Sequence, residues 1–269
     1  MAFQNRSRCA CITIYYSFIA KNKMIKNLFL QNKHESAAPN GQRIYAIGDI
    51  HGRLDLLIAL LEKIEIDSET APDAVKLIFL GDYIDRGPDS DKVIDYLVSF
   101  EKINASAQFL LGNHEDTMLK FMEFPGKYED WLHWGGDATL ESYGVGDVWR
   151  REASDLAIEL KEKINFEHLE FLTRLKPFCI EGDFVFAHAG VKPGVPLAEQ
   201  ETEDLLWIRG EFHNASKDLR PEKTVVHGHH PTKRPVNLSW RIGVDTGAVY
   251  SNVLTAVVLE ERSRRFLST

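Results

Sequence analysis

Cysteine and long apolar runs are both scarce in this chain of 269 residues. Its three cysteines, Cys9, Cys11 and Cys179, are too few for a disulfide framework and are typical of a reducing compartment. The apolar stretch at residues 9–20 has only 12 residues, whereas a membrane-spanning helix needs about 20. We therefore expect a cytoplasmic protein that does not associate with a membrane.

Basic residues are also in deficit. Lysine and arginine together number 32 against 40 aspartates and glutamates, so the formal net charge is −8. Residues 1–42 hold six of the basic residues and one acidic residue, which leaves 26 basic and 39 acidic residues in the rest of the chain. A nucleic-acid-binding surface would be basic, so this composition argues against a nucleic-acid partner.

Residues 1–42 differ from the rest of the chain, and we predict that they form an N-terminal extension. Two arginines precede the apolar stretch, as in a signal peptide, but residues 18–20 make a poor cleavage site. A disordered extension, or a start codon assigned upstream of a true start at Met24, is the preferred interpretation, and export or membrane association is the alternative. We predict one catalytic domain over residues 43–269.

Five short motifs in a fixed order carry most of the information in that domain. Each follows a short apolar run, and such a run closed by glycine predicts a buried strand that ends in a tight loop. Open α/β sheets bind ligands at the carboxyl ends of their strands, so we expect the polar side chains of the motifs to share one site. The motifs are Gly48-Asp49-Ile50-His51-Gly52, Gly81-Asp82-Tyr83-Ile84-Asp85-Arg86-Gly87, Gly112-Asn113-His114-Glu115, His188-Ala189-Gly190 and Gly228-His229.

The side chains at these strand ends are suited to divalent metal ions. Carboxylate and amide oxygens mixed with imidazoles favour manganese, iron or zinc. Two such ions about 3.5–4 Å apart form a phosphoester-hydrolysing site, so we predict a cofactor of two divalent ions, with Mn²⁺ expected in vitro. Asp49 and His51 can face one ion, and Asp82 can bridge both. The remaining ligands of the second ion would be Asn113, His188 and His229.

The same motifs, in this order and spacing, resemble those of the phosphoprotein phosphatase family of serine/threonine phosphatases in its bacterial single-domain form. That family belongs to the calcineurin-like metallophosphoesterases, and the resemblance runs from about Arg43 to Glu260. It implies an α/β fold in which two mixed sheets flanked by helices form an α/β/β/α sandwich. It also implies two ligand sets: Asp49, His51 and Asp82 for one ion, and Asp82, Asn113, His188 and His229 for the other.

Proton transfer and phosphate binding need further residues. A leaving alkoxide needs a proton, and His114 is the candidate general acid, with Asp85 orienting its ring, as the matching residues do in the family. Arginine binds two phosphate oxygens with its planar fork. Arg86 and Arg209 match the phosphate-clamping arginines of the family, and we also place Asn113 in contact with the substrate.

Several positions leave alternatives open. Leu111 stands where many family members have arginine, so one positive charge near the site is missing. His227 is either a contact of the metal ligands or a plain strand residue. We favour a glycine turn between two strands for Asp245, Thr246 and Tyr250 over a pocket entrance. Arg53 is as readily a solvated charge as a substrate contact, and the tryptophans Trp131, Trp134 and Trp149 are more often packing residues than a nucleoside platform.

Outside the motifs, the apolar spacing predicts helices after each of the first three. Residues 126–150 are predicted to be a loop-rich insert with one short helix, and residues 153–175 to be helical. From Phe178 onward, strands are predicted at residues 178–181, 184–189, 224–228, 241–245 and 253–259.

We therefore predict a metal-dependent phosphomonoester hydrolase. The favoured function is a serine/threonine protein phosphatase, with activity on phosphotyrosine possible, whose partner is a phosphorylated protein or peptide. The alternative is a hydrolase of dinucleoside polyphosphates such as diadenosine tetraphosphate, which would use the same ions on a phosphoanhydride. A non-catalytic metal-binding scaffold is disfavoured because every expected ligand, acid and arginine is present.

Overall fold

Residues 35–269 are the part of the chain that the computed structural model describes. Cys9, Cys11, Met24 and the apolar stretch at residues 9–20 lie outside it. Residues Ser36–Thr269 form one compact unit. Among the described residues, no helix is both long and apolar enough to cross a membrane.

Strands and helices alternate in the first half of the described region, and strands dominate the second half. The strands are β1 (Gln42–Ile47), β2 (Ala74–Phe79), β3 (Gln108–Phe109), β4 (Phe178–Glu181), β5 (Phe184–Ala187), β6 (Thr224–His227), β7 (Val236–Asn237), β8 (Arg241–Gly243), β9 (Thr255–Glu260) and β10 (Ser263–Ser268). The α-helices are α1 (Leu54–Ser68), α2 (Ser90–Ile103), α3 (Asn113–Glu123), α4 (Gly136–Ser142), α5 (Ala153–Lys163), α6 (Phe166–Thr173), α7 (Thr202–Trp207), α8 (Gly210–His213) and α9 (Ala248–Ser251).

The first sheet has the strand order β10-β9-β1-β2-β3. Strands β1, β2 and β3 run parallel to one another, and β9 and β10 add an antiparallel edge. Parallel strands end on the same side of a sheet. The loops after β1, β2 and β3, which carry the first three motifs, therefore lie side by side.

The second sheet has the strand order β4-β5-β6-β8-β7. Its central strands β5, β6 and β8 are parallel, and the two edge strands β4 and β7 are antiparallel to their neighbours. The last two motifs follow β5 and β6, so they too lie at one end of a set of parallel strands.

The two sheets pack against each other through an apolar layer. Side chains on a strand alternate between its faces. In β1, Ile44 and Ala46 pack in the same cluster as Phe186 of the second sheet, whereas Tyr45 and Ile47 pack with the helices on the outer face. Helices α1, α2 and α3 cover the outside of the first sheet, and α7 and α8 cover the outside of the second. The predicted α/β/β/α sandwich is confirmed.

The C-terminal strand β10 differs from the sequence prediction, which ended the strands at residue 259. Its sequence, Ser-Arg-Arg-Phe-Leu-Ser, has too little apolar alternation to indicate a strand by itself. It pairs with β9 at the edge of the first sheet, where charged side chains are tolerated because one face of the strand remains solvated. The predicted helical region 153–175 is also divided, because Asn165 caps α6 by accepting a hydrogen bond from the N–H of Glu167.

Part of the predicted N-terminal extension belongs to the folded unit. Ala38 is buried in the layer between the sheets, and its N–H donates to the carbonyl of Glu261 at 2.7 Å. The N–H of Asp183 donates to the carbonyl of Ala37 at 3.0 Å, and the hydroxyls of Ser36 and Thr224 are 2.7 Å apart. The folded unit therefore begins before the predicted boundary at residue 43.

Two chains that begin at Glu35 and at Gln42 should differ in stability for this reason. The shorter chain loses the hydrogen bonds of residues 36–38 and the burial of Ala38. At roughly 0.5–1.5 kcal/mol for each of these hydrogen bonds, it should be less stable by about 2–5 kcal/mol. Urea unfolding followed by circular dichroism measures this difference, and equal unfolding free energies would show that the segment does not contribute.

Candidate metal centre

The parallel strands of both sheets deliver the predicted ligands to one place. Asp49 and His51 follow β1, Asp82 follows β2, Asn113 opens α3 just after β3, His188 follows β5, and His229 follows β6. Each of these side chains is buried, with at most 6% of its surface exposed. The site is therefore a convergence of loops from two sheets, as the motifs predicted.

One cluster of donors joins the two sheets. The side-chain oxygen of Asn113 lies 2.9 Å from Nε2 of His188 and 2.9 Å from Nδ1 of His229. The two imidazole nitrogens are 3.2 Å apart, and an oxygen of Asp82 lies 3.4 Å from Nε2 of His188. These four residues are the predicted ligands of the second ion.

The hydrogen bonds of His188 show that this cluster requires positive charge. Its Nδ1 lies 2.9 Å from the carbonyl of Leu80, which can only accept, so Nδ1 carries a proton. The lone pair of Nε2 then faces the oxygens of Asn113 and Asp82, which are also acceptors. Burial lowers the pKa of His188, but the charge of Asp82 outweighs burial and raises it to about 9. A proton or a metal cation at Nε2 resolves the repulsion.

A second cluster shares Asp82 with the first. Nδ1 of His51 lies 2.8 Å from the carbonyl of Ile84, so Nδ1 carries the proton and Nε2 presents a lone pair, 3.5 Å from the other oxygen of Asp82. Nε2 of His114 is 3.9 Å from that same oxygen. The donor atoms of His51, Asp82 and His114 form one group, and those of Asp82, His188 and His229 form the other.

Asp49 stands apart from both groups. Its carboxylate accepts hydrogen bonds from the N–H of His229 at 3.0 and 3.2 Å. Burial, and then the neighbouring charge of Asp245, raise the pKa of Asp49 well above its usual range. Through these hydrogen bonds Asp49 joins the loops of the two sheets. Its role as a ligand of the first ion stays a prediction.

The donor set fits a pair of divalent ions. Imidazole nitrogens with free lone pairs, a shared carboxylate and an amide oxygen are the mixture that manganese, iron and zinc accept. Predicted ligands for one ion are Asp49, His51 and Asp82, and for the other Asp82, Asn113, His188 and His229. When bound, such a pair supplies Lewis acidity to a phosphoryl group and acidifies water.

The candidate acid His114 is held by a buried network. Its Nδ1 lies 2.6 Å from Asp85, a fully buried carboxylate. Asp85 in turn accepts hydrogen bonds from the indole N–H of Trp131 at 2.7 Å and from the hydroxyl of Thr139 at 2.6 Å. Burial lowers the pKa of His114, but the charges of Asp82 and Asp85 outweigh it and raise that pKa above its usual value. His114 is thus oriented with Nε2 toward the centre and kept able to carry a proton.

Trp131 and Thr139 are the functional residues that the sequence analysis missed at this point. Trp131 was treated there only as packing or as a nucleoside platform. It is fully buried, so it cannot stack on a ligand, and its N–H is used inside the site. Both residues lie in the insert at residues 126–150, whose sequence gives no sign of this contact.

Both predicted arginines reach the centre. Nη2 of Arg86 donates to Nε2 of His114 at 2.8 Å, and Nη1 contacts Nε2 of His51. On the other side, Nε of Arg209 donates to Nε2 of His229 at 3.1 Å. Two guanidinium groups therefore flank the candidate ligands, where they can bind the oxygens of a phosphoryl group.

Glu115 ties two loops of the site together, although the sequence analysis assigned it no role. Its carboxylate accepts hydrogen bonds from the N–H groups of Asp82, Tyr83, Ile84 and Gly112 at 2.7–3.2 Å. The side chain is fully buried, and burial, followed by the charge of Asp82, raises the pKa of Glu115 to about 7. Its place in Gly-Asn-His-Glu, three residues after Gly112, which precedes α3 and caps it, was the signal that could have identified it.

The backbone of the site is strained where it presents these side chains. Of the eight non-glycine residues with positive φ in the described region, five belong to the motifs: His51, Asp82, Asp85, Arg86 and His229. Such conformations cost about 1–3 kcal/mol each and persist only where the surroundings enforce them. Close approach also explains Gly228, because a Cβ there would lie 2.0 Å from the carboxylate of Asp49.

Asp245 lies nearer the centre than predicted. It is in a turn after β8, as expected, and accepts a hydrogen bond from the N–H of Gly247 at 2.8 Å. It is also buried, its pKa is raised by burial to about 6, and its charge acts on Asp49. A buried acid two residues past a parallel strand repeats the pattern of the motifs, and this was the signal that could have identified it.

Other positions raised by the sequence lie away from the ligands. Arg53 pairs with Asp55 and with Asn252, and Tyr250 is exposed. Burial raises the pKa of Cys179 to about 12, which keeps its thiol protonated. His227 contacts Arg241 rather than a candidate ligand side chain.

Comparison with known proteins agrees with this geometry. A family model described as calcineurin-like phosphoesterase matches residues 42–252. The bis(5'-nucleosyl)-tetraphosphatase PrpE (asymmetrical) of Anoxybacillus flavithermus is 30% identical over 227 residues, which are 78% of this chain and 88% of that protein. The PrpE protein of Bacillus velezensis is also 30% identical, over 78% of this chain and 86% of its own length. A crystal structure described as a candidate diadenosine tetraphosphatase superposes with a TM-score of 0.61 at 21% identity, covering 87% of this chain and 97% of that one.

Metal binding should depend on pH through His188. Because its pKa is raised to about 9 in the metal-free chain, a proton competes with the cation at lower pH. The apparent affinity for Mn²⁺ should therefore rise with pH, by up to about tenfold per unit below that pKa. Calorimetric titration with Mn²⁺ at several pH values tests this expectation, and an affinity independent of pH would contradict it.

Replacing His114 with asparagine tests whether His114 is a general acid or a metal ligand. If His114 is the general acid, the His114→Asn protein should bind as much Mn²⁺ as the wild type while its turnover falls by roughly 10²–10⁴. Metal content after desalting gives the first quantity, and phosphate release from a phosphothreonine peptide, whose leaving alkoxide needs a proton, gives the second. The matched control, Asp82→Asn, should lose both the metal and the turnover. Loss of one ion from His114→Asn would show that His114 is a ligand instead.

Proposed function

The chain belongs to the calcineurin-like phosphoesterase family, and we propose that it hydrolyses dinucleoside tetraphosphates at this metal centre. The proposal depends on one observation, the similarity of the chain to bis(5'-nucleosyl)-tetraphosphatases. The similarity extends over most of this chain and most of each relative. We expect asymmetric cleavage, as the names of those relatives state, to give a nucleoside triphosphate and a nucleoside monophosphate.

The favoured function of the sequence analysis, a serine/threonine protein phosphatase, has weaker support than its alternative. The protein-phosphatase prediction rested on motifs that concern the attack on phosphorus. Metal-assisted attack on phosphorus is the same for a phosphomonoester and a phosphoanhydride. The comparisons of sequence favour the tetraphosphate, and Leu111 removes a positive charge that many protein phosphatases of this type have.

The residues of the centre suit cleavage of a phosphoanhydride. Arg86 and Arg209 lie on opposite sides of the candidate ligands and can hold the oxygens of the reacting phosphoryl group. A polyphosphate leaving group is a far weaker base than the alkoxide of serine. It therefore depends less on a proton from His114, whose Nε2 faces the centre beside Arg86.

Parallel assays with Mn²⁺ test the proposal. Diadenosine tetraphosphate, a phosphothreonine peptide and a phosphotyrosine peptide are compared by kcat/KM, and the nucleotide products are separated by chromatography. We expect the dinucleotide to be preferred by at least ~10²-fold and to yield ATP and AMP in equal amounts. A higher kcat/KM for either peptide would favour a protein phosphatase and contradict the proposal. Two molecules of ADP per dinucleotide would contradict asymmetric cleavage. Asp82→Asn is the control for a contaminating hydrolase.

A further inference from the structure

A second cavity lies beside the metal centre, between α8, the loop after β6 and strand β8. It has a volume of about 360 Å³, within the usual range for small-ligand pockets. Its lining includes Arg209, His213, Asn214, His227, His230 and Arg241, and we call it the basic cavity. Arg209 belongs to both sites, because the guanidinium that lines the cavity also donates to the candidate ligand His229 at 3.1 Å.

The basic cavity places the positive charge of two guanidinium groups, those of Arg209 and Arg241, in an acidic protein. No aspartate or glutamate is among its lining residues, although the chain has a net charge of −8. Arg241 lies 3.3 Å from Nε2 of His227 and over the ring of Trp240. Within residues 35–269, neither Arg209 nor Arg241 forms an ion pair with a carboxylate. The charge of the cavity is therefore left for a ligand to neutralise.

Two buried side-chain nitrogens of residues that line the cavity have no hydrogen-bond partner within the described part of the chain. They are Nε of Arg241 and Nε2 of His213. A buried polar group without a partner costs roughly 1–3 kcal/mol, and more when it is charged. The guanidinium Nε of Arg241 can only donate, so it favours an oxygen of an anionic ligand, and Nε2 of His213 does the same in the tautomer that carries its proton there.

A cation does not fit this cavity despite its three histidines. The guanidinium groups of Arg209 and Arg241 would repel it, and no carboxylate offsets them. Among the described residues, His213, His227 and His230 also fail to bring three ring nitrogens close enough together to form a metal-binding group. The chemistry therefore favours an anion.

We propose that the basic cavity binds the phosphates of a polyphosphate chain that lie beyond the reacting phosphorus. This inference rests on the proposed function, since a tetraphosphate has such phosphates and a phosphomonoester does not. Asymmetric cleavage leaves three phosphates on one nucleoside, and the acidic body of the protein would repel their charge. Arg209 leads from the candidate ligand His229 into the cavity, so a chain that starts at the metal centre can continue there.

Inhibition by tripolyphosphate, compared with inhibition by inorganic phosphate, isolates this site from the metal centre. The assay is hydrolysis of p-nitrophenyl phosphate by the metal-loaded enzyme, with free Mn²⁺ held constant because tripolyphosphate chelates it. Two variants change the cavity: Arg241→Met removes a guanidinium, and Asn214→Asp adds a carboxylate at an exposed position while losing the hydrogen bond that the Asn214 amide donates to the carbonyl of Gly210. The matched control is Arg262→Met, which removes a guanidinium from the turn between β9 and β10.

For both cavity variants we expect the inhibition constant of tripolyphosphate to rise, by roughly 10–100-fold for Arg241→Met and less for Asn214→Asp. The inhibition constant of phosphate should change by less than about threefold, and Arg262→Met should match the wild type. Unchanged inhibition by tripolyphosphate in both cavity variants would overturn the proposal, as would an equal loss for both inhibitors.

The proposed function and the basic cavity can fail separately. If the wild type does not hydrolyse diadenosine tetraphosphate but loses tripolyphosphate binding in the cavity variants, the substrate proposal is wrong and the anion site stands. If it hydrolyses the dinucleotide while tripolyphosphate inhibits all variants equally, the substrate proposal stands and the cavity has another role.

Discussion

The buried carboxylate of Glu115 fixes the position of Asp82, and the remainder of the site depends on that position. By accepting hydrogen bonds from three consecutive N–H groups after β2 and from Gly112, it holds the loop that turns Asp82 to a positive φ of 53°. Asp82 then stands between the donors of both clusters. Without this support, the strained loop would relax and the two clusters would lose their shared ligand.

Negative and positive charges are unevenly distributed in the molecule, and this distribution determines what the site can bind. The body is acidic, and the centre adds Asp49, Asp82, Asp85 and Asp245 in buried positions. Histidine lone pairs and carboxylates face one another there, so cations are required to stabilise them. Guanidinium groups supply positive charge at the edges of the centre. The basic cavity extends that charge along one side, which is the distribution that an extended polyanionic substrate needs.

Much of this site could be predicted from sequence because its residues directly follow strands, which the apolar runs identify. Asp49, His51 and Asp82 follow apolar runs, and the ends of those runs give the positions of these candidate ligands directly. Trp131 and Thr139 could not be predicted, because their contact with Asp85 forms only when the insert folds over α2. Strand β10 was missed because its edge position removes the apolar alternation that marks a strand. The sequence ranked the two candidate substrates differently from the comparisons because the motifs describe the reaction at phosphorus, whereas the residues that we propose to recognise the rest of the substrate lie outside the motifs, as on α8.

We infer that two metal ions share Asp82 at the junction of the two sheets. A crystal structure of the enzyme with Mn²⁺, with anomalous scattering measured at the manganese edge, tests it most directly. We predict two anomalous peaks about 3.5–4 Å apart on either side of Asp82, one near His51 and the other among Asn113, His188 and His229. A single peak, or two peaks that do not share Asp82, would contradict it.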